Sequence, residues 1–278
     1  MVVYGGEVER GVGSTAIVLP AADLQTDVTV ATSTMEGPFS GTQAEIDRLP
    51  FNAKLRAYNV HEIPVDPSLI DAAGAFYFQH MAPRVSEQRG SFRSGQLAFY
   101  VTRPPDWGSD ISWWSADDAQ TYRYFESEFF LKVCLGEPLR RLIDIDRAVR
   151  LYYPSFVVRS RCEETFFHVD YRPGCGTNAY TLMTPLEDMS GSGEAHLAYL
   201  DALGRPRIYR YNKGTAIVFG TNFFHGTQVA AQRQARAFLC FSFGSDKQQY
   251  WPELKKSIYY QSRLLCTPGG TLLTRPES

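Results

Sequence analysis

Apolar residues recur along this chain in two different rhythms. Past residue 115 the rhythm is helical: Tyr122, Phe125, Phe129 and Val133 return every three or four positions. This predicts an amphipathic helix with Ser115 or Asp117 as N-cap, ended by Gly136 and Pro138. Further on, the runs shorten to strand length. Leu139 to Asp144, Val149 to Arg159, Glu164 to Val169, Ala179 to Leu186, Ala195 to Leu200, Ile208 to Tyr211, Ala216 to Phe219 and Ala237 to Phe243 are strand candidates, separated by Gly, Pro, Asn and Asp turns. Strand after strand with no helical period between them predicts a mainly β fold with flanking helices, a sandwich or jelly roll rather than alternating βαβ units.

Residues 1 to about 110 look irregular. Pro and Gly are scattered through them, with one helix predicted around Gly41 to Tyr58, where Ile46, Leu49 and Leu55 form an apolar stripe. The segment Arg103-Pro-Pro-Asp-Trp-Gly-Ser-Asp-Ile-Ser-Trp-Trp-Ser is turn-forming and aromatic, and reads as a lid or a packed surface loop. Burial is the ordinary role of any one of its tryptophans. With no internal repeat and no low-complexity linker, the chain reads as a single domain over 1–278: an N-terminal wrap with support helices (1–138), a β core (139–245) and a C-terminal extension (246–278).

Composition narrows the function class. Hydrophobic residues make up 44% and aromatics 14% of the 278 residues, with 18 Phe and 16 Tyr, which favours β structure and aromatic-lined pockets. A formal charge of −2 supplies no basic field for a phosphate backbone, so nucleic acid is not the expected partner. Cys134, Cys162, Cys175, Cys240 and Cys266 are odd in number, widely spaced and free of any C-x-x-C pair, and read as reduced thiols. No signal-like N-terminus, long uncharged apolar run or N-x-[ST] sequon is present, so the default location is the cytoplasm and no membrane partner is expected.

The chemistry concentrates in four residues. His168 and Asp170 form an H-x-D at the end of one strand candidate, His225 ends another apolar run, and Arg236 opens the strand after that. Residues i and i+2 of a strand share a face, so His168 and Asp170 can grip one ion together with His225 from a neighbouring strand. Two imidazoles and a carboxylate on one face suit Fe(II) and leave open positions for other molecules, the mark of a catalytic rather than a structural metal. The Arg236 guanidinium can hold a carboxylate bidentately.

Other motifs have plainer readings. His196 alternates with Ala195 and Leu197 as a sheet residue, and His61 and His80 stand alone. Cys162 and Cys175 flank the H-x-D, yet no oxyanion-hole signature supports a Cys–His nucleophile. Gly11-Val-Gly-Ser-Thr-Ala imitates a dinucleotide fingerprint without the βαβ context it needs.

On His168, Asp170, His225 and Arg236, residues 139 to 245 resemble the Fe(II)/2-oxoglutarate-dependent oxygenases. Arg150-Leu-Tyr-Tyr-Pro is similar to the R-x-N-Y-Y-P stretch that many members carry before the H-x-D, and Thr181-Leu-Met-Thr-Pro-Leu-Glu-Asp to the strand that follows it. The resemblance implies a double-stranded β-helix, a distorted jelly roll. It implies His168, Asp170 and His225 as metal ligands, and Fe(II), 2-oxoglutarate and O₂ as cofactor and cosubstrates. Arg236 would hold the far carboxylate of the keto acid. Two positions depart from the pattern: Leu151 stands for the asparagine, and Arg236-Ala-Phe lacks the serine of R-x-S. A second cosubstrate donor must come from elsewhere, with Tyr153 first, then Thr227, Tyr180 and Thr184. The implied reaction couples 2-oxoglutarate decarboxylation to oxidation of an unactivated C–H bond, most simply hydroxylation, and Asp170 argues against halogenation.

Two other classes stay open on the residues alone. The same donors could hold Zn²⁺ and activate water for hydrolysis, which leaves Arg236 without a role, or the metal could be structural in a non-catalytic module of the same fold. A small or mid-sized organic substrate is expected, with Trp113, Trp114, Tyr171 and Arg172 as candidate contacts.

Overall fold

The apolar runs of the second half form strands covered on both faces, which is why they show so little alternation. The structure, a computed structural model, describes residues 17–20, 59–84, 90–103, 109–133, 135–189, 195–201, 203–231, 234–259 and 261–275. In chain order these hold strand β1 (Ile17–Pro20), β2 (Val60–Pro64), helix α1 (Pro67–His80), and strands β3 (Gly90–Ser94), β4 (Leu97–Thr102) and β5 (Ser109–Ala116). Helices α2 (Ala119–Glu128) and α3 (Glu137–Leu142) follow. Then come β6 (Arg150–Cys162), β7 (Glu164–Phe167), β8 (Ala179–Pro185), β9 (Leu197–Leu200), β10 (Pro206–Tyr209), β11 (Thr215–Phe219), β12 (His225–Thr227) and β13 (Arg236–Gly244). Helix α4 (Trp251–Ile258) and the antiparallel pair β14 (Leu264–Cys266) and β15 (Leu272–Thr274) come last.

Two sheets result. The larger runs β2-β11-β8-β13-β6-β5-β4-β3, antiparallel throughout. The smaller runs β10-β9-β12, and a backbone bridge between His168 and His225 attaches the end of β7, which also pairs with β1. Strands β6, β8, β11 and β13 belong to the larger sheet, whereas β9, β10 and β12 belong to the smaller one, with β7 joined to it by the His168–His225 bridge. A chain that keeps crossing between two facing antiparallel sheets in this way is a double-stranded β-helix, the distorted jelly roll.

Strand parity divides the interior into two cores. Odd residues of β13 (Ala237, Leu239, Phe241, Phe243) pack on the outer side of the larger sheet with Ile70 and Phe76 of α1 and Tyr122 and Phe125 of α2. Even residues Phe238 and Cys240 point the other way, into the space between the sheets, with Val157, Met183, Leu197 and Phe219. Fully burying one such side chain stabilises the fold by about 1.5–3 kcal/mol. The outer core clamps the sheet so that its inner face can afford a cleft.

Several local expectations change. The candidate Leu139 to Asp144 is no strand: Leu139 to Leu142 lie in helix α3, which Gly136 precedes and which has Pro138 in its first turn, and Ile143 caps its end with extended backbone. Gly136 and Pro138 therefore start a helix rather than stop the one before. That earlier helix, α2, is capped by Asp118, whose carboxylate accepts from the backbone N–H of Thr121 at 2.8 Å. Ser115 lies inside β5, and Asp117 is paired with Arg263 at 3.1 Å. Part of the turn-like aromatic segment is strand β5, joined to β4 and β6, with Trp114 fully buried and its indole N–H donating to Ser112 Oγ at 2.8 Å. The larger sheet thus extends well upstream of residue 139. The helix expected at Gly41 to Tyr58 and the Gly11 motif lie outside the described residues.

Candidate metal centre

His168 and His225 are brought together by the backbone. Directly opposed residues of an antiparallel bridge send their side chains to the same side, and here the imidazole centroids stand 4.6 Å apart. The Nδ1 atoms lie 3.1 Å from the Phe166 carbonyl oxygen for His168 and 3.0 Å from that of Phe223 for His225. A carbonyl can only accept, so both Nδ1 atoms carry the proton and the lone pairs sit on the Nε2 atoms, the form in which an imidazole ligates a metal. Each Nε2 is 3.6 Å from the same oxygen, Asp170 Oδ1.

Those three atoms all lie within 4.8 Å of one another. Two donors each about 2.1 Å from a shared ion lie at most about 4.2 Å apart, so the 3.6 Å spacings fit one ion. The other carboxylate oxygen, Oδ2, accepts from the Thr181 hydroxyl at 2.6 Å, and Thr181 Oγ1 also lies 3.2 Å from the Tyr171 hydroxyl oxygen. Metal-ligating carboxylates are commonly held this way. Burial, then the neighbouring His225 imidazole, holds the His168 pKa well below its ordinary value. The neutral imidazole is the form that binds metal.

The three donors line an open cleft of about 760 Å³ between the sheets. Its walls are mostly apolar: Ile111 and Trp113 of β5, Val157 of β6, Met183 of β8, Leu197 of β9 and Phe219 of β11. Tyr153 and Thr227 line it too, as do Arg159 and Gln261, which the sequence reading passed over. The Tyr153 hydroxyl donates to Gln261 Oε1.

Arg236 is not among the lining residues, and its Nη1 faces Glu187 Oε2 at 3.4 Å. Arg159 is. Its side chain is buried, residue exposure being only 3%, and its Nη1 donates to Thr227 Oγ1 at 3.3 Å. Its guanidinium stacks over Phe238 at 4.3 Å and Tyr211 at 5.1 Å. The cue was visible in the sequence as a single charge closing an apolar strand run, two residues from Val157 and hence on its face.

Remaining candidates fall elsewhere. Tyr180 donates to Asn59 Oδ1 at 3.0 Å and Thr184 to the Thr215 carbonyl at 2.9 Å, both outside the cleft lining. Tyr171 is a buried support whose hydroxyl reaches the Tyr180 carbonyl and Ser242 Oγ, each at 2.7 Å, rather than a substrate contact. Trp113 lines the cleft, while Trp114 and Arg172 do not. His196 is a buried sheet residue whose Nδ1 accepts from the Tyr211 backbone N–H at 3.2 Å. Cys162 and Cys175 are no nucleophiles: burial pushes both thiols up to about 11.

No family model and no curated protein matches the chain. Among solved structures, similarity extends to HygX from Streptomyces hygroscopicus with nickel and 2-oxoglutarate bound, at 10% identity and TM-score 0.45, covering 68% of this chain and 83% of that one. It also extends to a prolyl-4-hydroxylase of Pseudomonas putida, at 15% identity and TM-score 0.40, covering 73% and 97%. AviO1 from Streptomyces viridochromogenes is a third, at 15% identity and TM-score 0.42, covering 67% and 89%. The functional reading rests on the side chains of the cleft itself.

Proposed function

We propose that this chain is a single-domain non-haem Fe(II) oxygenase that couples 2-oxoglutarate decarboxylation to oxidation, in the simplest case hydroxylation, of a C–H bond in a small or mid-sized organic substrate. The observation that carries the reading is the convergence of His168 Nε2, His225 Nε2 and Asp170 Oδ1 at the wall of an apolar cleft that also holds a buried guanidinium. Nitrogen and oxygen donors in this two-to-one ratio suit iron and leave coordination positions facing the cleft. The single domain is supported by an outer core that draws on residues from Ile63 to Cys266.

His168, His225 and Asp170 would hold the ion. The Thr181 hydroxyl, by occupying Asp170 Oδ2, keeps Oδ1 turned toward the two imidazoles. With Fe(II) and the keto acid bound, reduction of O₂ coupled to loss of CO₂ supplies the oxidising power and leaves succinate. Ile111, Trp113, Met183 and Phe219 give the substrate an apolar wall. Zinc-dependent hydrolysis would use the same three ligands but would leave the Arg159 guanidinium without a counter-charge. A formal charge of −2 argues against nucleic acid as substrate, and among the described residues no helix is long and apolar enough to cross a membrane.

The test is spectroscopic. Anaerobic addition of Fe(II) and 2-oxoglutarate should produce a weak visible charge-transfer band, and admission of O₂ should release succinate. Both signals should vanish in His168→Ala and His225→Ala protein. Equal succinate release by wild type and both variants would overturn the assignment, as would hydrolysis that requires zinc in iron-free buffer.

A further inference from the structure

Arg159 and Arg236 are partners in register across β6 and β13. Their side chains therefore leave the same face of the sheet side by side. Two guanidiniums so placed repel unless anions separate them. Arg236 meets Glu187 at the edge. Arg159 stays inside, with no carboxylate in ion-pair range among the described residues, and its Nε and Nη2 find no acceptor there. A buried, uncompensated cation is costly, and aromatic faces and one hydroxyl offset only part of that cost.

We infer that Arg159, rather than Arg236, is the cation that binds the far carboxylate of the keto diacid. This inference rests on the function proposed above. Thr227, which steadies the Arg159 guanidinium, lies two residues beyond His225 on β12 and so shares its face. Two residues of strand span roughly 7 Å, within reach of a five-carbon diacid whose other end lies at the metal. Both unsatisfied nitrogens of Arg159 are then available to carboxylate oxygens, the geometry in which arginine is most selective.

The decisive experiment is calorimetric binding to Ni(II)-loaded protein, comparing 2-oxoglutarate with 2-oxopentanoate, which lacks the second carboxylate. Wild type should prefer the diacid. Arg159→Gln should lower 2-oxoglutarate affinity by about 10–100-fold, the loss expected for a charge-assisted pair, with 2-oxopentanoate affinity unchanged. Arg236→Gln should retain the preference. Thr227→Val, which removes one hydroxyl and spares the guanidinium, should weaken diacid binding alone, and it covers the case in which Arg159→Gln protein does not fold. Loss of the preference in Arg236→Gln, with retention in Arg159→Gln or Thr227→Val, overturns this inference and leaves the oxygenase reading standing. Ni(II)-loaded wild type that binds neither keto acid overturns both.

Discussion

The backbones of His168 and His225 exchange two hydrogen bonds, each 2.9 Å long. The spacing of the two proposed metal donors is thus set by a β-bridge and not by side-chain packing. Asp170, by contrast, follows the end of its strand, and its orientation depends on what its second oxygen meets.

That dependence falls on Thr181. Replacing it with valine keeps the shape but removes the donor to Asp170 Oδ2. Fe(II) affinity or activity should fall by about 10–100-fold, the usual effect of losing a partner behind a metal ligand. Thr184→Val serves as the control, since its hydroxyl bonds the Thr215 carbonyl outside the cleft, and it should leave metal titrations unchanged.

Stability should carry an acid-sensitive component from Asp246. Burial alone would raise its carboxyl, but backbone N–H groups of Asp146, Arg147 and Ala148 donate to it at 2.7, 2.8 and 3.1 Å and hold its pKa below the ordinary value. A depressed carboxyl contributes stability that is fully present above its unfolded pKa of about 4 and is lost as pH falls through the lower folded value. Asp246→Asn should therefore melt below wild type at pH 7, and the gap in Tm should close in acid below pH 4. A gap that stays constant between pH 7 and pH 3 would contradict this account.

Two glycines should respond to alanine in opposite directions. A Cβ on Gly244, at the end of β13, would stand 2.0 Å from the Asn178 carbonyl oxygen, so Gly244→Ala should cost about 1–3 kcal/mol or more in urea denaturation. Within α1, a Cβ on Gly74 meets nothing closer than the Leu186 carbonyl oxygen at 4.0 Å. Gly74→Ala should instead stabilise by about 0.5–1 kcal/mol.

Thiol labelling checks the burial of three cysteines, of which Cys162 and Cys240 line the cleft. Cys162, Cys175 and Cys240 are buried, and burial pushes their thiols up to about 11, 11 and 12. Iodoacetamide at pH 8 should leave all three unmodified in native protein and label them once urea unfolds it, as read by peptide mass spectrometry.

The grouping of His168, Asp170 and His225 was legible because the H-x-D follows one apolar run and His225 another, although His225 opens β12 and Asp170 lies past the end of β7, where strand periodicity no longer applies. Seven of the eight strand candidates overlap observed strands. The eighth failed because Leu139, Leu142 and Ile143, with two arginines between them, make a pattern too short to separate strand from helix, and the proline in the first turn favours the helix. Strand β5 was obscured by its own residues: Ser109, Asp110 and Ser112 signal turns locally, whereas pairing with β4 and β6 overrides them. Arg236 stands out in the sequence because it opens the strand after His225. That position says nothing of the second guanidinium directly across the sheet, a relationship visible only once β6 and β13 are in register.

Adjacent residues in the central strands hold different offices. Phe156, Leu182 and Leu239 look toward the helices, and their neighbours Val157, Met183 and Cys240 look toward the cleft. Anyone wishing to retune what the cleft accepts can randomise the second set and leave the first as ballast. One step along the chain separates a change of appetite from a collapse of the scaffold.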